Sequence, residues 1–213
     1  MISDTNNSQR RGSVSASRRE FLSKTAKSGA AITAALSGQS LGIFGFSSQK
    51  TKMPYLDPSW IEETDGEVVK YAKFLCKEKY DTLSLHELLK AHFKKRHVRN
   101  TLPPRDMWEN IVPTLKVVDQ VAKNVGCTCA KVVSAYRSPD YNYSIGGAKN
   151  SCHMRNLAID VEFGCSSWKA MRAACVLRKK DKFIGGLGVY NNFIHIDTRD
   201  ENVNWGLYKY NRS

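Results

Sequence analysis

Ser151-Cys152-His153-Met154-Arg155-Asn156-Leu157-Ala158-Ile159-Asp160-Val161-Glu162-Phe163 starts polar and ends as an alternating apolar run. It reads as a loop feeding a β-strand, in which successive side chains point to opposite faces. Downstream, Gly185-Gly186-Leu187-Gly188-Val189-Tyr190 and Phe193-Ile194-His195-Ile196-Asp197 are two more short strand candidates. They are joined at Asn191-Asn192, a two-residue hairpin signal. His153 and Asp160 stand seven residues apart, and His195 follows on the second strand of the hairpin. Two imidazoles and one carboxylate make a three-ligand set that holds Zn²⁺ and leaves the fourth tetrahedral position open to water. That open position marks a catalytic rather than a structural zinc. Such a set also arises by chance, so spacing alone does not assign it.

Upstream, the chain reads as scaffold. From Pro58 to Lys95 the apolar spacing is helical, with Val68, Tyr71, Ala72 and Leu75, then Leu85, Leu88, Leu89 and His92. His86, His92 and His97 are read as surface or packing histidines. Asp106 with Glu109 resembles a capping box, opening a helix to about Asn124 that Gly126 stops. Ile111, Leu115, Val118 and Val121 would face a sheet, and Pro113 would kink this helix. Another helix is expected from Ser167 and Trp168 to Arg178, its basic end suited to a helix C-terminus. Helices before and between a few antiparallel strands make the expected class α+β, a small antiparallel sheet flanked by helices.

The wider text carries several motifs in order. They are Val133-Ser134-Ala135-Tyr136-Arg137-Ser138-Pro139-Asp140-Tyr141-Asn142, Gly146-Gly147-Ala148, Ser151-x-His153, Ala158-x-Asp160, Gly186-x-Gly188-x-Tyr190 and Phe193-x-His195-x-Asp197. Together they resemble the zinc D-Ala-D-Ala carboxypeptidase and murein endopeptidase family, and its periplasmic murein endopeptidase-like branch most. That family shares its metal site with the hedgehog signalling domain. The resemblance implies a hedgehog/DD-peptidase-like fold over residues 101–213, after a helical segment at 49–100. It also implies Zn²⁺ held by His153, Asp160 and His195, with Arg137 and Ser151 contacting a peptidoglycan peptide.

Two positions depart from the family pattern. Asn156 stands where Gly usually precedes the metal Asp by four residues; Asn enters left-handed backbone more readily than most residues, so the turn should survive. Asn192 stands where better-known branches place an acidic general base three residues before the last histidine. An amide cannot take a proton from water near neutral pH, so the base is left unassigned. Asp197, two residues past His195 and on the same strand face, is a candidate for it. It could equally orient His195 or pair with Arg199 as a hairpin-end carboxylate. Glu162 ranks below it. A guanidinium at Arg137 could grip a substrate carboxylate or steady an oxyanion. Ser151 could donate to substrate or cap a turn.

Ser17-Arg18-Arg19-Glu20-Phe21-Leu22-Ser23-Lys24, followed by a weakly apolar stretch from Gly29 to Phe46, looks like a twin-arginine export signal over residues 1–48. The expected location is therefore periplasmic or extracellular. If the leader stays uncleaved, loose membrane association through it remains open. The chain of 213 residues carries a formal +13, and residues 49–213 keep 27 Lys/Arg against 18 Asp/Glu. No nucleic-acid reader motif accompanies that charge, so anionic cell envelope is the expected surrounding and a monomer the expected state. Six cysteines permit disulfides whose pairing the sequence does not choose. The leading expectation is an exported zinc metallopeptidase acting on peptidoglycan stem or cross-link peptides. The alternative is a catalytically inactive wall-binding protein that retains the zinc site.

Overall fold

A computed structural model describes residues 51–206. The export-signal segment expected at residues 1–48 lies outside the described residues. Among the described residues, six α-helices and a five-stranded sheet make the α+β fold, with the elements α1 (Pro58–Glu63), α2 (Glu67–Leu75), α3 (Leu85–Lys90), α4 (Val112–Val125), β1 (Cys129–Ser134), α5 (Pro139–Ser144), β2 (Ala158–Phe163), α6 (Ser167–Lys179), β3 (Gly186–Val189), β4 (Ile194–Asp197) and β5 (Val203–Gly206). The strand order is β1-β2-β4-β3-β5. The first four strands pair antiparallel as expected, but β5 pairs parallel with β3, so the sheet is mixed. β5 has the sequence Val203-Asn204-Trp205-Gly206, whose alternation is too brief, ending at a glycine, to mark a strand by pattern. Its place comes from tertiary pairing rather than local pattern.

The helical N-terminal segment is divided into three short helices. Thr64–Gly66 breaks the first from the second, with Gly66 at φ 74 as the entry to α2. The apolar face expected here is buried: Val68, Tyr71, Ala72, Leu75, Leu88 and Leu89 are all inaccessible. His92 is a packing histidine, buried edge-on against Tyr71, and burial pushes its pKa down to about 3. This segment shares one apolar core with the sheet, so residues 51–206 are a single packed body.

The helix expected from Asp106 does not form in one piece. Arg105–Ile111 is 3₁₀, and the α-helix begins at Val112 with Pro113 in its first turn and no side-chain cap. Proline has no N–H to lose there and its fixed φ suits a helix start, so Pro113 opens a new helix instead of kinking an old one. Gly126 ends α4 at φ 65, as expected. Asp119 ties α4 to the loop before α3: Oδ1 accepts from the Asp81 and Thr82 amides at 2.9 and 2.7 Å and from Thr82 Oγ1 at 2.7 Å.

Alternation sorts the sheet into two faces. Ile159, Val161, Phe163, Leu187, Val189, Ile194 and Ile196 point into the main core with α4 and α6. Ala158, Asp160, His195, Asp197, Gly186 and Gly188 belong to the opposite face by the same period of two. All six cysteines are free thiols in this structure.

Candidate metal centre

Register sets the first part of the site. Ser134 pairs with Asp160, Asp160 with His195, and His195 with Gly188, so the two ligands on the sheet are direct cross-strand neighbours. His153 arrives from the loop. Ser151 caps a short 3₁₀ turn, Cys152–Arg155, by accepting from the His153 amide at 3.3 Å, and Asn156 ends the turn at φ 53 and ψ 37. The left-handed turn thus survives with Asn. The amide also does what Gly could not, since Nδ2 donates to the Met107 carbonyl at 2.9 Å and fastens the ligand loop to the 3₁₀ segment before α4. Of the two roles weighed for Ser151, the cap is formed.

The three expected ligands come together, all buried. His153 Nε2 lies 3.2 Å from His195 Nδ1, His195 Nδ1 lies 2.8 Å from Asp160 Oδ1, and His153 Nε2 lies 3.2 Å from that same oxygen. Each imidazole is oriented from behind. His153 Nδ1 faces the Ala135 carbonyl at 2.6 Å, and His195 Nε2 faces Asp197 Oδ2 at 2.9 Å. Both partners are acceptors, so each ring keeps its proton on the outer nitrogen and turns a lone pair inward. The triangle then holds three acceptors and no proton to share among neutral rings, an arrangement that a cation satisfies. A tetrahedral zinc with bonds of about 2.0–2.1 Å sets its ligands about 3.3 Å apart; the two edges at His153 Nε2, both 3.2 Å, match that spacing, and the His195–Asp160 edge is shorter at 2.8 Å.

Electrostatics fit this reading at His153 and Asp160, whereas at His195 they favour the charged ring when no cation is present. Burial depresses the pKa of His153, which favours the neutral ring a metal needs. For Asp160 burial would raise the pKa, but the two histidines outweigh it and hold the group well below the usual carboxylate range. For His195 burial opposes the charged form, but the bonds to Asp160 and Asp197 raise the pKa overall. Asp197 is likewise held low despite its burial, by His195, Arg199 and the Gly186 amide.

Asp197 sits behind the site, with no exposed surface. Oδ1 accepts from the Gly186 amide at 2.9 Å and from the Arg199 amide and Nε at 3.1 and 2.9 Å, and Oδ2 accepts from Arg199 Nη2 at 2.7 Å. Two of the readings weighed for it are therefore realised together, the partner that orients His195 and the pair with Arg199. Arg137 donates from Nη2 to Asp160 Oδ2 at 2.6 Å and from Nε to Ser134 Oγ at 2.7 Å, so it steadies a ligand carboxylate. Asn192 is exposed in the hairpin turn, where Tyr190 N donates to the Phe193 carbonyl at 3.0 Å. Glu162 pairs with Lys131 at 3.6 Å, apart from the triangle.

Sequence reasoning did not single out two residues here. Buried Asn100 donates to the Tyr136 carbonyl and accepts from the Ser138 amide, fixing the loop that carries Arg137. Trp205 on β5 lies 4.8 Å, ring to ring, from His195. Neither has a local signal, since Asn100 acts on a loop far along the chain and Trp205 on another strand of the sheet.

No curated protein and no solved structure matches the chain. A family model described as Peptidase M15 matches residues 82–197, just over half of the chain, from the loop before α3 to the last residue of β4. The match spans all three candidate ligands and their supports on β1, β2 and β4. This chain therefore belongs to the Peptidase M15 family, the zinc peptidases whose motifs its sequence resembles.

Proposed function

We propose that this protein is an exported zinc metallopeptidase that hydrolyses peptide bonds in peptidoglycan stem or cross-link peptides. The observation that carries the reading is the triangle of His153 Nε2, His195 Nδ1 and Asp160 Oδ1, three inward lone pairs with both ring protons committed elsewhere. Zinc held there would polarise a scissile carbonyl and acidify water. The chain's own residues do the rest. Ala135 and Asp197 fix the two ring orientations, and Arg137 holds Asp160 so that Oδ1 faces inward. Such outer partners typically account for about 10–100-fold in metal affinity or activity.

Asp197 has its oxygens committed to His195, Gly186 and Arg199, so its part is to keep Nε2 of His195 protonated rather than to carry protons itself. Arg137 is mostly engaged by Asp160 and Ser134, and any contact it makes with substrate is through the edge that remains. Export rests on the twin-arginine pattern at Arg18-Arg19, and the peptidoglycan substrate rests on the family together with the basic surface.

The test is digestion of purified muropeptides by the zinc-loaded protein, with products identified by mass spectrometry. Release of a stem-peptide residue or of a cross-link half supports the reading and separates carboxypeptidase from endopeptidase action. Binding without any product would instead identify a wall-binding protein, the reading that Asn192 at the usual acid position motivates.

A further inference from the structure

Gly188 stands between His195 and Trp205 in the strand register, so Asp160, His195, Gly188 and Trp205 form one line across four neighbouring strands. Gly188 has no side chain to fill the gap. A Cβ there would lie 2.6 Å from the indole Nε1, and one at Gly186 would lie 2.9 Å from indole Cζ3. The two glycines of Gly186-x-Gly188 are thus the bed on which the Trp205 ring lies across β3 to reach His195, at a tilt of 53°.

The indole is tied on its outer edge as well. Nε1 donates to Tyr190 Oη at 2.9 Å, and the Tyr190 ring stacks on Phe193 at 4.4 Å. Tyr190 is 36% exposed, and Trp205 and Phe193 are half-buried. Shielding the His195–Asp197 hydrogen bond from water would call for an indole alone. It would not call for an exposed phenol held on the indole edge and stacked on a second ring. Rigid aromatic surface left open beside a polar site is the usual form of a binding wall, because it offers large contact area at small entropic cost. This wall is uncharged. Arg199 stands over the indole, its Cζ 5.4 Å from the ring centroid, with its charge paired to Asp197, whereas Arg137 lies at the other end of the line, beside Ser134 and Asp160.

We infer that Trp205 and Tyr190 form the wall of a substrate subsite on the His195 side of the metal centre, and that it takes an uncharged, CH-rich face of the substrate. In a muropeptide that face is either the methyl side of an alanine residue or the face of a sugar ring. The inference rests on the peptidase reading for the identity of the substrate. Trp205 and Tyr190 here determine specificity and leave the bond-breaking step to the residues already described.

The experiment compares full-length wild type, Trp205→Phe and Tyr190→Ala, all zinc-loaded, on a cross-linked murein peptide dimer with and without its disaccharides. Tyr190 is exposed, so its replacement keeps the fold if Trp205→Phe does not. Three readouts are taken: zinc content, KM against kcat, and the change in intrinsic fluorescence on adding peptide. A stacked contact is worth about three- to tenfold in affinity, so KM should rise by about that factor with kcat and zinc content unchanged. The peptide-induced fluorescence change should disappear in Trp205→Phe. A rise confined to the sugar-bearing dimer assigns the wall to the sugar, and a rise for both dimers assigns it to alanine. Unchanged KM and unchanged peptide binding in both variants overturn the inference, as does zinc loss with KM unaltered, which would make the indole a shield only. A wild type that binds muropeptide without cleaving it defeats the peptidase reading alone, and the fluorescence titration then still decides the wall. A wild type that binds neither dimer defeats both.

Discussion

Replacing Asp197 by Asn separates the orientation of His195 from proton carriage. The carboxylate is fully buried and holds the Nε2–H of His195 at 2.9 Å, while Arg199 grips it through Nε and Nη2 and the Gly186 amide donates to it. An amide of the same shape keeps one acceptor oxygen for these donors, and its NH₂ group must face at least one of them. If the oxygen stays with Arg199 and Gly186, His195 loses its acceptor and its preference for a lone pair on Nδ1. Loss of such an outer partner lowers metal affinity by about 10–100-fold, or about 1.4–2.7 kcal/mol. The Arg199 charge would remain with a neutral partner, which costs about 2–4 kcal/mol of folding stability in the metal-free protein. Zinc competition against a chromophoric chelator reads the first quantity and urea unfolding of the metal-free protein reads the second. Turnover at saturating zinc should return to near wild type. The reasoning is refuted if zinc affinity is unchanged while turnover at saturating zinc falls by about 10²–10⁴, the share of general acid–base catalysis.

Removing a ligand is a simpler test: His153→Ala should leave the purified protein without retained zinc by elemental analysis, and full occupancy would remove the centre from His153, Asp160 and His195. Asp119 should give a pH-dependent stability. Burial opposes its ionisation but Lys123 and Thr82 outweigh it and lower its pKa, so its contribution is present above the unfolded value of about 3.9 and is lost as pH falls through the folded value. Urea unfolding of Asp119→Asn against wild type should therefore show a gap of about 2–3 kcal/mol near neutrality that closes in acid. A gap that does not change between neutral pH and strong acid would mean that the ionised carboxylate is not what holds the Asp81–Thr82 loop. Substitution of Arg18-Arg19 by Lys-Lys should hold the protein in the cytoplasm in a fractionation assay, because a receptor reads the pair; unchanged delivery would give the leader another meaning.

Residue types and short-range period put His153, Asp160 and His195 forward as candidate ligands, and the resemblance to a zinc-peptidase family singled them out. Phe193-Ile194-His195-Ile196-Asp197 alternates so strictly that its two polar side chains must share a face opposite two isoleucines, and that face is where both stand. The stop at Gly126 and the left-handed turn at Asn156 were legible for the same reason, since one residue's backbone preference decides each. Where two local rules competed, the pattern misled: Asp106 and Glu109 resembled a cap, yet Pro113 could only open a helix, and the start moved to Val112. The tertiary structure alone decided which nitrogen of His153 turns inward, because the Ala135 carbonyl that faces its Nδ1 comes from just past the end of β1, whereas Asp197, two residues past His195 on the same strand, was already legible as that ring's partner. It likewise decided that Arg137 serves Asp160 first, and that Trp205 lies beside His195 over a glycine on the strand between them. These are contacts between segments distant in the chain, fixed by strand register and shared burial, and a linear sequence carries neither distance nor register until the sheet has formed.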